Sequence, residues 1–132
     1  MSRRVVVTGL GTVNPLGIGV KETWESCVAG KSGFGFISLF DASSLNVKIG
    51  AEVKNFNPVI FMDATLARYT DRFTQFALAA SREALEESGM IINDENCYQT
   101  GIVIGSGIGG IGTLSNQMNV MTPTTSSGFS RA

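Results

Sequence analysis

The sequence predicts an α/β chain, with a mixed sheet covered by helices, and three observations predict it. A β-branched run, Arg4–Thr8, opens the chain with Val5, Val6 and Val7 in succession. A long amphipathic helical pattern fills residues 70–88. A second apolar run, Thr100–Ile104, leads straight into Gly105-Ser-Gly-Ile-Gly-Gly-Ile-Gly112. Unbroken apolar runs of this length suit parallel strands buried on both faces. The order strand, loop, helices, strand, glycine-rich loop is α/β in character.

Each element follows from local chemistry. After the first run, Gly9, Gly11, Asn14, Pro15 and Gly17 mark a loop at the strand's C-terminal end. Val20–Ala29 suits a helix whose Val20, Trp24, Cys27 and Val28 share one stripe, with Gly30 placed for a left-handed cap. Gly33–Phe40 is apolar and glycine-rich and reads as an extended turn, and Val47–Val53 alternates in part, as a short strand does. In the long helix, Phe73, Phe76, Ala77, Ala80 and Ala84 form one face, while Arg72, Gln75, Glu83, Glu86 and Glu87 mostly occupy the other. Alanines 77, 79, 80 and 84 allow a neighbour to approach closely, and Gly89 closes the segment. From Ser115 to Ala132 the chain is dominated by Ser, Thr, Asn and Met, and low order is expected there.

Composition excludes several function classes. The 132 residues are 43% hydrophobic and 16% charged, enough apolar material for a packed core. A net charge of −1 offers no field for nucleic acid or an anionic membrane. The apolar runs are far shorter than the roughly 20 residues of a membrane span or the about 7–15 of a signal-peptide core. A cytoplasmic chain without a membrane partner is expected. There is no histidine, so no Ser-His or Cys-His pair can form, and two distant cysteines make no zinc site. No metal and no cofactor are expected.

Some residues invite a sharper reading and fail it. Gly105, Gly107 and Gly110 satisfy the dinucleotide pattern G-x-G-x-x-G, but residues 96–132 contain no Asp or Glu to hold the ribose hydroxyls. The segment after the glycines also reads as a poor helix, so a tight turn between closely passing backbones is preferred. Cys27 reads as a small core residue, and Cys97, among acidic neighbours, as an unreactive thiol. Trp24 reads as a core anchor, and Asp63, Asp71, Glu83, Glu86 and Glu87 as a solvated helix and its approach.

Several blocks together resemble the β-ketoacyl-acyl-carrier-protein synthases of type II. They are Val5–Gly17, Thr23-Trp24 followed by Ala29–Gly33, Asp71–Ala80 continuing through Glu83–Gly89, and Gly101–Gly110. The resemblance covers residues 3 to about 114. It implies a partial N-terminal domain over 1–114 and a divergent tail over 115–132. It also implies the thiolase fold, of which this chain would carry the incomplete N-terminal half. The implied reaction is a decarboxylative condensation of an acyl thioester with malonyl-acyl-carrier protein, in fatty-acid chain elongation. In that family a cysteine carries the acyl group, two histidines assist, backbone N–H groups form an oxyanion hole, and the enzyme is a homodimer. Cys27 and Cys97 match no catalytic position, so the resemblance assigns no catalytic residue and the chain is expected to be inactive alone.

The resemblance carries two assignments onto numbered residues. Ile108 matches a position lining the acyl pocket. Arg68 and Arg72 match part of a basic stretch that docks the acyl carrier protein, though Thr65 and Tyr69 stand where further basic residues belong. The tail Thr122–Ala132 departs from the family pattern, as a truncated or frame-shifted product would. The alternative is a non-catalytic interaction module, or a pseudogene product, that binds a full-length synthase or the carrier protein.

Overall fold

The computed structural model describes residues 3–121. A small hairpin comes first: strand β1 (Val13–Asn14) pairs antiparallel with β2 (Gly17–Ile18), Val13 opposite Ile18. Asn14 builds its turn. The Asn14 Oδ1 accepts from the Leu16 N–H at 2.8 Å, and its Nδ2 donates to the hydroxyls of Thr12 (2.9 Å) and Thr23 (2.8 Å). Helix α1 (Val20–Val28) follows, and Gly30 takes the expected left-handed turn at φ 63°. The expected buried stripe faces outward instead: Trp24 is 68% exposed, Val28 and Cys27 are exposed, and Ser26 is the buried residue of the helix. Cys27 and Trp24 are therefore not core residues here. Apolar periodicity finds a helix's greasy side, but no described element covers that side.

Strand β3 (Phe34–Phe36) pairs antiparallel with β4 (Ile49–Ala51). The expected extended turn at 33–40 thus contains a strand, and the strand expected over 47–53 narrows to three residues. Gly35 faces Gly50 across the ladder, while Phe34 opposite Ala51 and Phe36 opposite Ile49 share the other face. Glu52 holds the return loop, accepting from the Ser38 hydroxyl at 2.6 Å and from the N–H groups of Ser38 and Leu39 at 2.9 and 3.1 Å. These bonds, the Ser38 hydroxyl's first, hold the Glu52 carboxyl below the ordinary glutamate range.

A 3-10 turn at Pro58–Ile60 leads to helix α2 (Ala64–Tyr69), a helix that apolar periodicity alone passes over. The Asp63 side chain caps it by accepting from the Leu66 N–H at 2.8 Å. Helix α3 (Arg72–Ser88) matches the long predicted helix and ends on Gly89 at φ 65°. The core is small. Phe56 is buried between Phe61, stacked at 5.5 Å between centroids, and Phe76, edge-on at 4.9 Å; Ala79 of α3 is 2% exposed.

Two expectations about strands and one about the tail are corrected. Residues 4–8 and 100–104 form no strand among the described residues. Their β-branched side chains stand in solvent, and the backbone of Arg4–Thr8 and of Gly101–Ile104 makes no hydrogen bond. A β-branched run favours a strand only when a ladder and a packed face are supplied. Helix α4 (Ile111–Met121) forms where a poor helix and then low order from Ser115 are expected. Its residues are nevertheless all exposed. The rest of the polar tail, residues 122–132, lies outside the described residues.

Candidate functional site

Helix α3 is the platform on which both glycine-rich loops rest. Its C-terminal half receives the first loop. A Cβ on Gly9 would stand 2.1 Å from the Ala84 carbonyl oxygen, and one on Gly11 only 1.8 Å from that of Ala80. The close approach expected from the alanine face is made by this loop. Two glutamates on the same helix tie down the loop's free N–H groups. Glu83 accepts from Thr12 N at 3.0 Å and Val20 N at 2.7 Å, and Glu87 accepts from Leu10 N. Both read as solvated surface acids in the sequence. Their signal was spacing: they lie one turn apart beside Ala80 and Ala84, where a glycine loop brings unpaired donors.

The N-terminal end of α3 receives the second loop. Gly109 and Gly110 are both left-handed, at φ 58° and 45°. A Cβ on Gly109 would press on the Phe73 ring at 3.0 Å, and one on Gly110 would strike the Asp71 carboxylate at 2.4 Å. The tight turn expected at these glycines is therefore a close approach to a helix end. Asp71 occupies the capping position of α3 yet makes no side-chain cap; its carboxylate accepts from the Thr113 hydroxyl at the start of α4. The two elements enclose a shallow groove of about 260 Å³ lined by Asp71, Arg72, Phe73 and Gly110–Thr113.

The residues singled out in the sequence do not converge on one centre. Arg72, the first residue of α3, donates from Nη2 to the Val53 carbonyl at 2.7 Å. Its guanidinium also lies 4.9 Å from the Phe76 ring centroid and 5.8 Å from that of Phe56. Arg68, in the last turn of α2, is exposed and makes no ion pair or hydrogen bond among the described residues. Ile108 is 77% exposed in the glycine loop. Cys97 sits in a 3-10 turn, its thiol 3.7 Å from the Asp94 carbonyl oxygen. Arg72→Ala is expected to lower the unfolding free energy by about 1–2 kcal/mol, through one charged hydrogen bond and a partly exposed cation–π contact. Arg68→Ala is expected to leave it within about 0.5 kcal/mol, the two being compared by urea denaturation.

The comparisons with known proteins agree with this geometry. A solved ketosynthase/chain length factor, that of ishigamide, superposes with a TM-score of 0.62 at 34% identity, covering 67% of this chain and 22% of the other. The fold is therefore the thiolase-like fold of ketosynthases, carried here in part. The chain matches the family described as "Beta-ketoacyl synthase, N-terminal domain" over residues 2–131, and it belongs to that family.

Among curated relatives, "3-oxoacyl-[acyl-carrier-protein] synthase 2" of Coxiella burnetii is 50% identical over 109 residues, which are 83% of this chain and 26% of the relative. The protein of the same name from Synechocystis is 40% identical over 119 residues, 90% of this chain and 29% of the relative. That of Staphylococcus aureus strain N315 is 43% identical over 113 residues, 86% of this chain and 27% of the relative. The chain thus spans little more than a quarter of the length of the curated relatives it matches.

Proposed function

We propose that this chain supplies the amino-terminal scaffold of a condensing enzyme, one that joins an acyl thioester to malonyl-acyl-carrier protein with loss of carbon dioxide during fatty-acid elongation. The identity to synthases of that name, 40–50% across most of this chain, is the observation that carries the reading. The scaffold role rests on α3, which fixes the two glycine loops at its opposite ends. The loop at Gly105–Gly112 would present Ile108 to the acyl chain in the assembled enzyme. Arg68, whose charge has no partner among the described residues, would meet the acidic carrier protein, and Arg72 would position the segment that bears it.

Condensation itself needs an activated nucleophile and a means of stabilising the developing oxyanion. The chain contains no histidine, and Cys27 and Cys97 lie far apart in sequence, on α1 and in a turn before the second loop. The purified 132-residue chain, given acyl- and malonyl-carrier protein, is expected to release no carbon dioxide and form no 3-oxoacyl product above the protein-free control. Product formation would overturn the scaffold assignment. Titration of isotope-labelled carrier protein tests the docking face: chemical-shift changes that persist unaltered with Arg68→Glu would remove Arg68 from it.

A further inference from the structure

Two apolar runs of this chain stand in solvent, and their flanks differ. Val5, Val6 and Val7 are 93, 67 and 79% exposed, and Ile102, Val103 and Ile104 are 76, 99 and 58% exposed. Arg3 and Arg4 come directly before the first run, and residues 1–21 contain no Asp or Glu. Neither arginine makes an ion pair or a hydrogen bond among the described residues. The second run has no charged neighbour along the chain: residues 96–130 contain no Asp, Glu, Lys or Arg.

The backbone of Arg4–Thr8 makes no hydrogen bond among the described residues, so its donors and acceptors are open to a partner. Valine favours extended backbone, and in an extended segment Val5 and Val7 point to one side and Val6 to the other. Both sides are therefore apolar. A sheet edge that packs on one side would leave the other bare, whereas a channel that closes around the segment covers both. The run is anchored just past its C-terminal end. A Cβ on Gly9 would stand 2.1 Å from the Ala84 carbonyl oxygen, and Leu10 donates to Glu87, so the loop after Thr8 is pinned to α3. Residues 3–8 can thus be enclosed while α3 keeps its structure.

We propose that residues 3–8 are the docking segment for a chaperone of the kind that encloses an extended apolar stretch. Its channel takes Val5–Val7, and acidic groups at the channel mouth meet Arg3 and Arg4. Charge complementarity chooses between the two runs, because an acidic mouth has a counterpart at the first and none at the second. Exposed apolar surface of this kind is what chaperones withdraw from solution. The partner holds this chain folded, with both glycine loops still seated on α3. The assignment does not depend on the condensing-enzyme reading.

Competition against a labelled peptide bound to the purified peptide-binding domain of a heat-shock chaperone tests this, read by fluorescence anisotropy. The full chain is expected to displace the peptide. Val6→Asp is expected to weaken displacement about tenfold or more, through the lost burial of one valine. Arg3→Glu combined with Arg4→Glu is expected to weaken it about tenfold at low salt, and by less as salt is raised. Val103→Asp is the matched control and is expected to stay within about twofold of the parent. In the complex, the amides of residues 5–8 are expected to gain hydrogen-exchange protection while α3 keeps its own. No displacement, an equal loss with Val103→Asp and Val6→Asp, a charge reversal without effect, or loss of α3 protection on binding would each overturn the proposal. So would a chain that ignores the chaperone and uses Val5–Val7 to bind a second copy or an added synthase relative instead.

Discussion

Gly11→Ala is expected to destabilise the chain by about 3 kcal/mol, the upper range for forcing a methyl group into occupied space. The added carbon would lie 1.8 Å from the Ala80 carbonyl oxygen, and that oxygen belongs to the backbone of α3 and has no rotamer to yield. The loop must lift off the helix. In doing so it draws Thr12 away from Glu83 and Leu10 away from Glu87. Gly101→Ala is the matched control, because a Cβ there meets nothing within 4 Å. Its urea midpoint is expected to stay within about 0.5 kcal/mol of the parent. Equal losses at the two glycines would show that the close approach to α3 contributes nothing specific.

Glu83→Ala is expected to cost about 3 kcal/mol by the same measurement. The carboxylate accepts from two backbone N–H groups far away in sequence, Thr12 and Val20, in a part-buried setting. Hydrogen bonds to a charged group contribute about 1.5–3 kcal/mol each, and truncation leaves both donors without a partner. Glu83→Gln keeps one acceptor oxygen and is expected to lose about half as much. Glu86→Ala, three residues further along α3, removes an exposed pair with Arg82 and is expected to cost under about 0.5 kcal/mol. Combined with Gly11→Ala, Glu83→Ala should cost less than the sum of the two, since both act on the same loop–helix contact. Strict additivity would mean that Glu83 and Gly11 hold different parts of the chain.

Helices α1 and α3 are the legible part of this fold; α2 and α4 are not. The α3 pattern gives its C-terminal boundary because alanine propensity, an apolar face and a left-handed glycine agree at Gly89, while the start expected at Thr70 falls two residues before Arg72, because Thr70 closes α2. In α1 the boundaries were equally plain but the buried side was not. Periodicity marks Trp24 and Val28 as core, and only the tertiary neighbours decide whether they are covered. The valine run at 5–7 shows the same limit for strands. Its composition specifies a ladder, but the ladder's other half is not determined by the run itself. Helix α2, at six residues, is too short for a periodic signal, although Asp63 is of a residue type favoured at an N-cap.

At the candidate site the glycines were legible as a close approach, and the acids were not legible as anchors. Glu83 and Glu87 look like any solvated pair until the loop donors arrive opposite them. Arg72 is the converse. A basic residue at a helix start suggests a charge offered outward, yet its planar guanidinium suits two aromatic faces and a carbonyl, which Phe56, Phe76 and Val53 provide.

Asp71 has two uses that exclude each other. Turned inward, its carboxylate would satisfy the first free N–H groups of α3; turned as it is, it grips Thr113 and leaves that helix end without a side-chain cap. Letting go of α4 therefore does not lose the whole of the Thr113 bond, because the freed carboxylate can take up the cap, an interaction of about 1 kcal/mol. One side chain is thus placed between two helix termini, and it serves the second. The glycine loop that leads into α4, left-handed at Gly109 and Gly110, brings the second terminus against the first.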